Sequence, residues 1–247
     1  MELATAWLGR SWRALGECAS TNDEAAAWAR AGAPAGAVVV AETQTRGRGR
    51  QGRVWHSPPG AALFFSVVLR PPLPPMKVPP LTLAAGVALA ETAARFEVMP
   101  SLKWPNDLLV DGRKAAGILT ESACQGGRLE HVIVGIGVNL NVDQFPPELA
   151  EIATSLHRAR GRTIDRSELA AVLCERLEVW HDRFVAGGAG EVVGAWKSFA
   201  RFFGRRVEVA LGNERVAGVA EDLDEDGALR LRTERGIVRV MAGEVIG

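Results

Sequence analysis

Gln44-Thr45-Arg46-Gly47-Arg48-Gly49-Arg50-Gln51-Gly52-Arg53-Val54-Trp55 carries the strongest chemical signal in this chain. Four arginines and three glycines fall within residues 46–53. The apolar run 37–41 (Ala-Val-Val-Val-Ala) precedes it and reads as a buried strand. Glycine lets a backbone take positive φ and come close to a ligand. Arginine supplies a rigid fork of donors that matches carboxylate and phosphate. A cationic, flexible loop leaving a buried strand is a clamp for an anionic ligand. The competing readings are a solvated basic loop and an Arg-Gly segment that touches nucleic acid without sequence preference. The Gly-x-x-x-x-Gly-Lys-Ser/Thr spacing of a P-loop is absent.

Upstream, residues 12–18 read as a short strand. Thr21 followed by Glu24 predicts a capping box that opens a helix carrying Ala25, Trp28 and Ala29 and ending at Gly32. Downstream, Ser57-Pro58-Pro59-Gly60 marks a turn and Ala62–Leu69 an apolar strand. Six prolines in 71–80 make a connector, and 81–96 is an Ala/Leu-rich helix. In Lys103-Trp104-Pro105-Asn106-Asp107 the proline holds Trp104 extended, Lys103 ends a strand, and Asn106 and Asp107 suit an Asx-type turn. Asp111-Gly112 then closes a hairpin of the type I′ kind. The run 131–141 is a buried strand interrupted by Gly135 and Gly137. Such glycines mark a bulge, the close approach of a ligand, or packing against a helix. Asp165 and Glu168 predict a second capping box, opening a helix whose apolar stripe ends at Gly187-Gly188; a short helix follows over 191–199. His157 and His181 have no evident partner and read as surface residues. From Gly204 apolar and polar residues alternate, with turns at Gly212-Asn213, 224–227 and 234–236. Four or five short strands there make a small β-barrel or sandwich, too small to fold confidently alone.

The chain has 247 residues, 47% of them hydrophobic, and zero net charge. That length and composition suit one large domain, with or without a small appendage. A dedicated nucleic-acid binder carries a basic excess, which this chain lacks. Cys18, Cys124 and Cys174 are odd in number and scattered; they suit a reducing cytosol as small core residues, without a zinc site. No signal-peptide pattern and no apolar run of about 18 residues is present, so the expectation is a cytoplasmic protein with no membrane role.

Taken together, these pieces resemble the biotin–protein ligase (biotin–acetyl-CoA-carboxylase ligase) family. The matching residues are Ser20-Thr21-Asn22, then Gln44 with the loop 47–53 and Trp55, then Lys103-Trp104-Pro105-Asn106-Asp107. Lys114 to Leu119 with Glu121, and Gly135-Ile136-Gly137-Val138-Asn139, complete the set in the family's order. The end of the chain, Met241-Ala242-Gly243-Glu244, is similar to the family's small C-terminal domain. Only nineteen residues precede Ser20, so the likeness is to the monofunctional ligases, without the N-terminal DNA-binding domain of the repressor type.

This resemblance implies an α+β fold. A mixed β-sheet with helices packed on it, class II synthetase-like (biotin–lipoate ligase-like), spans 1–202, and an SH3-like β-barrel spans 203–247. It implies an ATP-dependent enzyme that makes biotinyl-5′-AMP and passes biotin to a lysine of a biotin carboxyl carrier protein or domain. The cofactors are ATP and Mg²⁺, whose protein ligands it leaves open, and the enzyme is a monomer or homodimer. Lys103 and Arg50 are the implied catalytic residues. Ser20, Thr21, Asn22, Gln44, Arg48, Gly49, Arg50 and Lys103 would bind biotin. Arg48, Arg50, Arg53, Trp55, Lys103, Asn106 and Asn139 would bind ATP and the adenylate. A lipoate-type acyl-adenylate ligase on the same fold is the near alternative. A non-enzymatic nucleic-acid-binding protein using the Arg-Gly loop is the distant one.

Overall fold

The computed structural model describes residues 3–55, 57–212 and 214–246. The first sheet has seven strands: β1 (Trp12–Cys18), β2 (Val38–Gln44), β3 (Ala62–Leu69), β4 (Pro100–Lys103), β5 (Asp107–Val110), β6 (Arg113–Gln125) and β7 (Arg128–Asn139). Their order is β1-β2-β3-β7-β6-β5-β4. β1 and β2 run parallel and every other pair is antiparallel, so the sheet is mixed.

β3 is central and all eight of its residues are buried. Alternate residues face opposite ways. Leu63, Phe65, Val67 and Leu69 join the large core, together with Val132, Val134, Ile136 and Val138 of β7. Over this face lie α2 (Pro80–Arg95), α5 (Arg166–Gly187) and α6 (Ala189–Phe199). The opposite face carries one helix, α1 (Thr21–Arg30). Its small Ala25 and Ala29 let it sit close on Val39, Val68 and Ile133. α1 covers only part of that face, and the uncovered part holds the site. Two short helices, α3 (Pro147–Ala150) and α4 (Leu156–Arg160), follow β7 and bring residues 152–154 alongside Lys114.

The second sheet contains β8 (Arg206–Leu211), β9 (Glu214–Leu223), β10 (Leu229–Thr233), β11 (Gly236–Val240) and β12 (Glu244–Ile246), in the order β11-β10-β9-β8-β12. Its alternation buries Val207, Val209, Leu229, Leu231 and Val245 in the same large core. Trp104 joins the two parts: its ring is buried and its Nε1 donates to Gly227 O at 3.0 Å.

Several local expectations need correction. Ser20, not Thr21, is the N-cap of α1, and no side chain caps it; Thr21 is the first helical residue and is drawn to Gln44 instead. At α5 one half of the expected box forms, with Asp165 accepting from Glu168 N at 2.8 Å. Lys103 ends β4 as expected, and Trp104 opens a turn with a cis bond to Pro105. Asn106 and Asp107 form no local Asx bond; their side chains reach β6 and the Arg-Gly loop. His157 pairs with Asp143 at 3.0 Å, and His181 with Asp182 at 2.9 Å and edge-on with Trp7. Of the cysteines only Cys174 is core, and burial pushes its thiol up to about 12; Cys124 is exposed. Asp111 and Gly112 both take positive φ, as the I′ turn requires. Of the turn Gly212-Asn213, Asn213 lies outside the described residues.

Candidate active site

The uncovered sheet face is built in cross-strand rows. Ser66 of β3, Gly135 of β7 and Leu119 of β6 stand side by side, as do Phe64, Gly137 and Gly117. Each row seats one side chain. A Cβ on Gly135 would lie 2.0 Å from Asn22 Oδ1, and one on Gly137 would lie 3.0 Å from the Trp55 ring. Gly117 meets the same indole at 3.1 Å. The glycines that interrupt β7 are therefore seats for an asparagine from α1 and a tryptophan from the Arg-Gly loop.

Around Asn22 lies a polar cradle. Gln44 Oε1, at the end of β2, accepts from Thr21 N at 2.6 Å and Thr21 Oγ1 at 3.0 Å. This satisfies one of the N–H groups that a helix start leaves without an internal partner. Ser66 Oγ lies 2.8 Å from Thr21 Oγ1 and donates to Asn22 Oδ1 at 2.7 Å. Asn22 Nδ2 donates to Glu121 Oε2 at 2.6 Å and Leu119 O at 3.3 Å.

The Arg-Gly loop folds back on itself, with Gly49 N donating to Arg53 O and Trp55 N to Gly47 O. Gln51 and Gly52 both take positive φ in its tight turn. Arg48 holds Asp23 with two bonds, at 2.8 and 2.6 Å, and stands 3.8 Å from Glu121. That hydrogen-bonded guanidinium keeps the Asp23 carboxyl below its usual range. Arg50 donates to Gly243 O at 3.0 Å and Asn106 Oδ1 at 3.3 Å. Burial lowers its pKa, against the opposing pull of Asp107 and Glu244. Arg53 donates to Glu244 Oε1 at 2.7 Å. Burial pushes the Glu244 carboxyl up, yet the Arg53 hydrogen bond and the charges of Arg53, Lys103 and Lys114 together hold it below its usual value.

Beyond the loop, the buried Asp107 carboxylate is 2.6 Å from Lys114 Nζ and 3.9 Å from Lys103 Nζ. Lys114 Nζ also stands 5.7 Å from the centre of the Trp55 ring. Asn139 ends β7 with its Nδ2 on Thr154 O at 3.1 Å and Lys114 O at 3.4 Å.

Most of these groups line a single cavity of about 580 Å³, while Asp23, Ser66, Glu121 and Thr154 brace its walls from behind. Ser20, Thr21, Asn22, Gln44, Arg48, Gly49, Arg50, Arg53, Trp55, Lys103, Asn106 and Asn139 all border it. Every site residue expected from the sequence is thus brought to one hollow. Its volume sits within the roughly 300–1,000 Å³ of ordinary ligand pockets. Its ends differ: the uncharged side chains of Ser20, Thr21, Asn22 and Gln44 form a hydrogen-bonding cradle at α1, with Arg48 beside it, and Arg50, Arg53, Lys103 and Lys114 bring cations from the loop, β4 and β6. Such a hollow can hold a small polar ring at one end while offsetting a polyanion at the other.

Four participants were missed as site residues. Lys114 makes the ammonium groups two rather than one. Asp107 and Glu244 balance the cations, and Ser66 braces the cradle. Ser66 had one legible signal: it is the lone polar residue in Ala62–Leu69.

Residues 15–139 match the model of the Biotin/lipoate A/B protein ligase family, and residues 202–246 that of the Biotin protein ligase C terminal domain. The chain is 36% identical over 252 residues to the biotin--[acetyl-CoA-carboxylase] ligase of Mycobacterium tuberculosis, covering 96% of this chain and 90% of that protein. It is 38% identical over 229 residues to the bifunctional ligase/repressor BirA of Bacillus spizizenii, covering 92% of this chain and 70% of that protein. Among solved structures, the biotin protein ligase from Aquifex aeolicus in complex with biotin and ATP superposes with a TM-score of 0.82 at 30% identity, covering 96% of this chain and 98% of that one.

Proposed function

We propose, since this chain belongs to the biotin/lipoate A/B protein ligase family, that it is an ATP-dependent biotin ligase acting on a carboxylase carrier domain. A biotin carboxylate oxygen attacks the α-phosphorus of ATP, the bond to pyrophosphate breaks, and biotinyl-5′-AMP remains. The ε-amine of a carrier lysine then attacks the acyl carbon; AMP leaves and the amine gives up a proton. The observation that carries this reading is the placement of a polar cradle and a cation ring in one hollow, which suits an acid joined to a nucleotide.

The first step brings two anions together, so their repulsion must be offset before an in-line attack. Lys103, Lys114, Arg48 and Arg50 would do this, with the two lysines nearest the reacting carboxylate and α-phosphate. Ser20, Thr21 and Gln44 would meet the cyclic urea, whose buried polar groups need partners. Ser20 is suited to this because its hydroxyl caps no backbone N–H. Arg53 and Trp55 would flank the nucleotide. Asn139, its Nδ2 occupied by Lys114 and Thr154, would accept from the exocyclic amine of adenine through Oδ1. Gly49 and Arg50 would hold the closed loop over the adenylate and keep water from the anhydride.

Mg²⁺ belongs to the proposal, supplying charge neutralisation on the polyphosphate. Among the described residues no group of three or more His, Cys, Asp or Glu could hold a metal alone. That suits a cation bound mainly by phosphate oxygens and water, with one or two carboxylates; Asp107 and Glu244 are the carboxylates lining the cavity beside the cations. We assign catalysis to 1–202 and a supporting role to 203–247. Among the described residues no helix is long and apolar enough to cross a membrane.

The test is pyrophosphate release with Mg-ATP and either biotin or lipoate, followed by transfer of labelled biotin to a carrier domain. Release with biotin alone, and ATP-dependent labelling, are expected. Release driven by lipoate alone would move the protein to the neighbouring activity. Oligonucleotide binding without ATP turnover would refute both.

A further inference from the structure

Asn22 stands in the middle of the cradle, yet its amide faces the protein. Its Oδ1 accepts from Ser66 at 2.7 Å, and its Nδ2 donates to Glu121 at 2.6 Å and Leu119 O at 3.3 Å. The residue is only 5% exposed. The amide sits directly on Gly135, where a Cβ would lie 2.0 Å from Asn22 Oδ1, so only glycine beneath it leaves room for this placement. Ser66 is fully buried in an otherwise apolar strand. A hydroxyl there is costly unless it is partnered, and it touches both Thr21 and Asn22.

We propose that Asn22, clamped by Ser66 and Glu121, is a positioning residue: it sets the first turn of α1 so that Thr21 and Gln44 face the cyclic urea, and it does not itself bind the substrate. The brace ties α1 to β3, β6 and β7 at once. Its rigidity fixes the geometry that discriminates a urea from an apolar ring, so Ser66 is a specificity-determining residue. This inference rests on the biotin reading above.

Exchange of donor and acceptor tests it. Asn22→Asp places a second carboxylate 2.6 Å from Glu121 and breaks the brace. Adding Glu121→Gln restores a donor–acceptor pair with the roles reversed, but leaves position 22 without an N–H. The KM for biotin, kcat for pyrophosphate release and melting temperature are measured for the wild type, Ser66→Ala, Asn22→Asp and the double variant. Asn22→Asp and Ser66→Ala are each expected to raise the KM for biotin about tenfold, as loss of a buried hydrogen bond does, with kcat at saturating biotin little changed. The double variant is expected to recover most of the lost affinity. If it binds biotin as poorly as Asn22→Asp while melting like the wild type, Asn22 Nδ2 contacts substrate and the proposal is overturned. An unchanged KM in Ser66→Ala overturns the role of Ser66. A wild type that releases no pyrophosphate with biotin overturns the underlying reading instead, and is read out before any variant.

Discussion

Lys114 is asked to do two things, and the two can be separated. Its ammonium neutralises the buried Asp107 carboxylate at 2.6 Å, and it lines the cavity where the acid and the α-phosphate would meet. Removing one member of a buried pair leaves the other charge uncompensated. Lys103, at 3.9 Å from Asp107, makes up part of that loss, and Lys114 is partly exposed, so the cost falls at the low end. Lys114→Met is expected to lower stability by about 1–3 kcal/mol, and adding Asp107→Asn should restore the melting temperature. Activity should not return with stability, because a positioned cation is worth about 2.7–4 kcal/mol on the transition state. Lys103→Ala should also fail to form the adenylate while melting nearly as the wild type. Thermal melts and pyrophosphate release on the same samples check this. Recovery of activity in the Lys114→Met/Asp107→Asn variant would show that Lys114 serves the fold alone.

At the scale of elements, the Arg-Gly loop is held closed by carboxylates on either side of it, Asp23 in α1 and Glu244 in β12. Both have folded-state pKa values below their ordinary ones. A group depressed in this way stabilises above its free pKa, about 4, and ceases to as pH falls through its lower folded value. The tether is therefore fully present at pH 5–7 and is lost in more strongly acid solution. Amide exchange of residues 46–55, corrected for intrinsic rates, should show protection at pH 5 that declines as the pH is lowered below the free carboxylate value of about 4, while β3 and β7 remain protected. Asp23→Asn should weaken protection already at pH 5. Protection that stays constant through the acid series would mean that backbone bonds alone hold the loop. The loop itself was legible in the sequence, since its composition is extreme. So were β3, buried on both faces, and the alternating strands after Gly204. The seats at Gly135 and Gly137 were not, because the side chains that fill them come from α1 and from the loop, 113 and 82 positions away by the difference of residue numbers. Lys114 was nearer to hand: the hairpin expected at Asp111-Gly112 returns β6 along β5 and brings it to Asp107. The capping box at Thr21 misled for a related reason, as Gln44 competes for the N–H and the hydroxyl that a local cap would use.

Across the whole molecule, the second sheet is more than an appendage, since it supplies groups to the cavity wall. Gly243 O fixes Arg50, Glu244 fixes Arg53, and Gly227 O receives the Trp104 indole beneath the Lys103 strand. These contacts make the arrangement of the loop depend on a part of the chain nearly 200 residues away (|i−j| of 193 for Arg50 and Gly243). The sequence hinted at this only through Glu244, the one acid at the start of the last strand. If the second sheet shapes the nucleotide end and not the urea end, Glu244→Ala has a selective effect. Arg53 is largely exposed, so the lost pair is worth about 1 kcal/mol at most, which is about fivefold in affinity. The KM for ATP should rise by about that factor. The KM for biotin should stay unchanged, because the hydrogen bonds of Thr21 and Gln44 run to each other and to Ser66, not to β12. Steady-state pyrophosphate release, with each substrate varied in turn, separates the two. A matching rise in both constants would place the effect in loop closure as a whole, and no rise in either would reduce the second sheet to a support for Trp104.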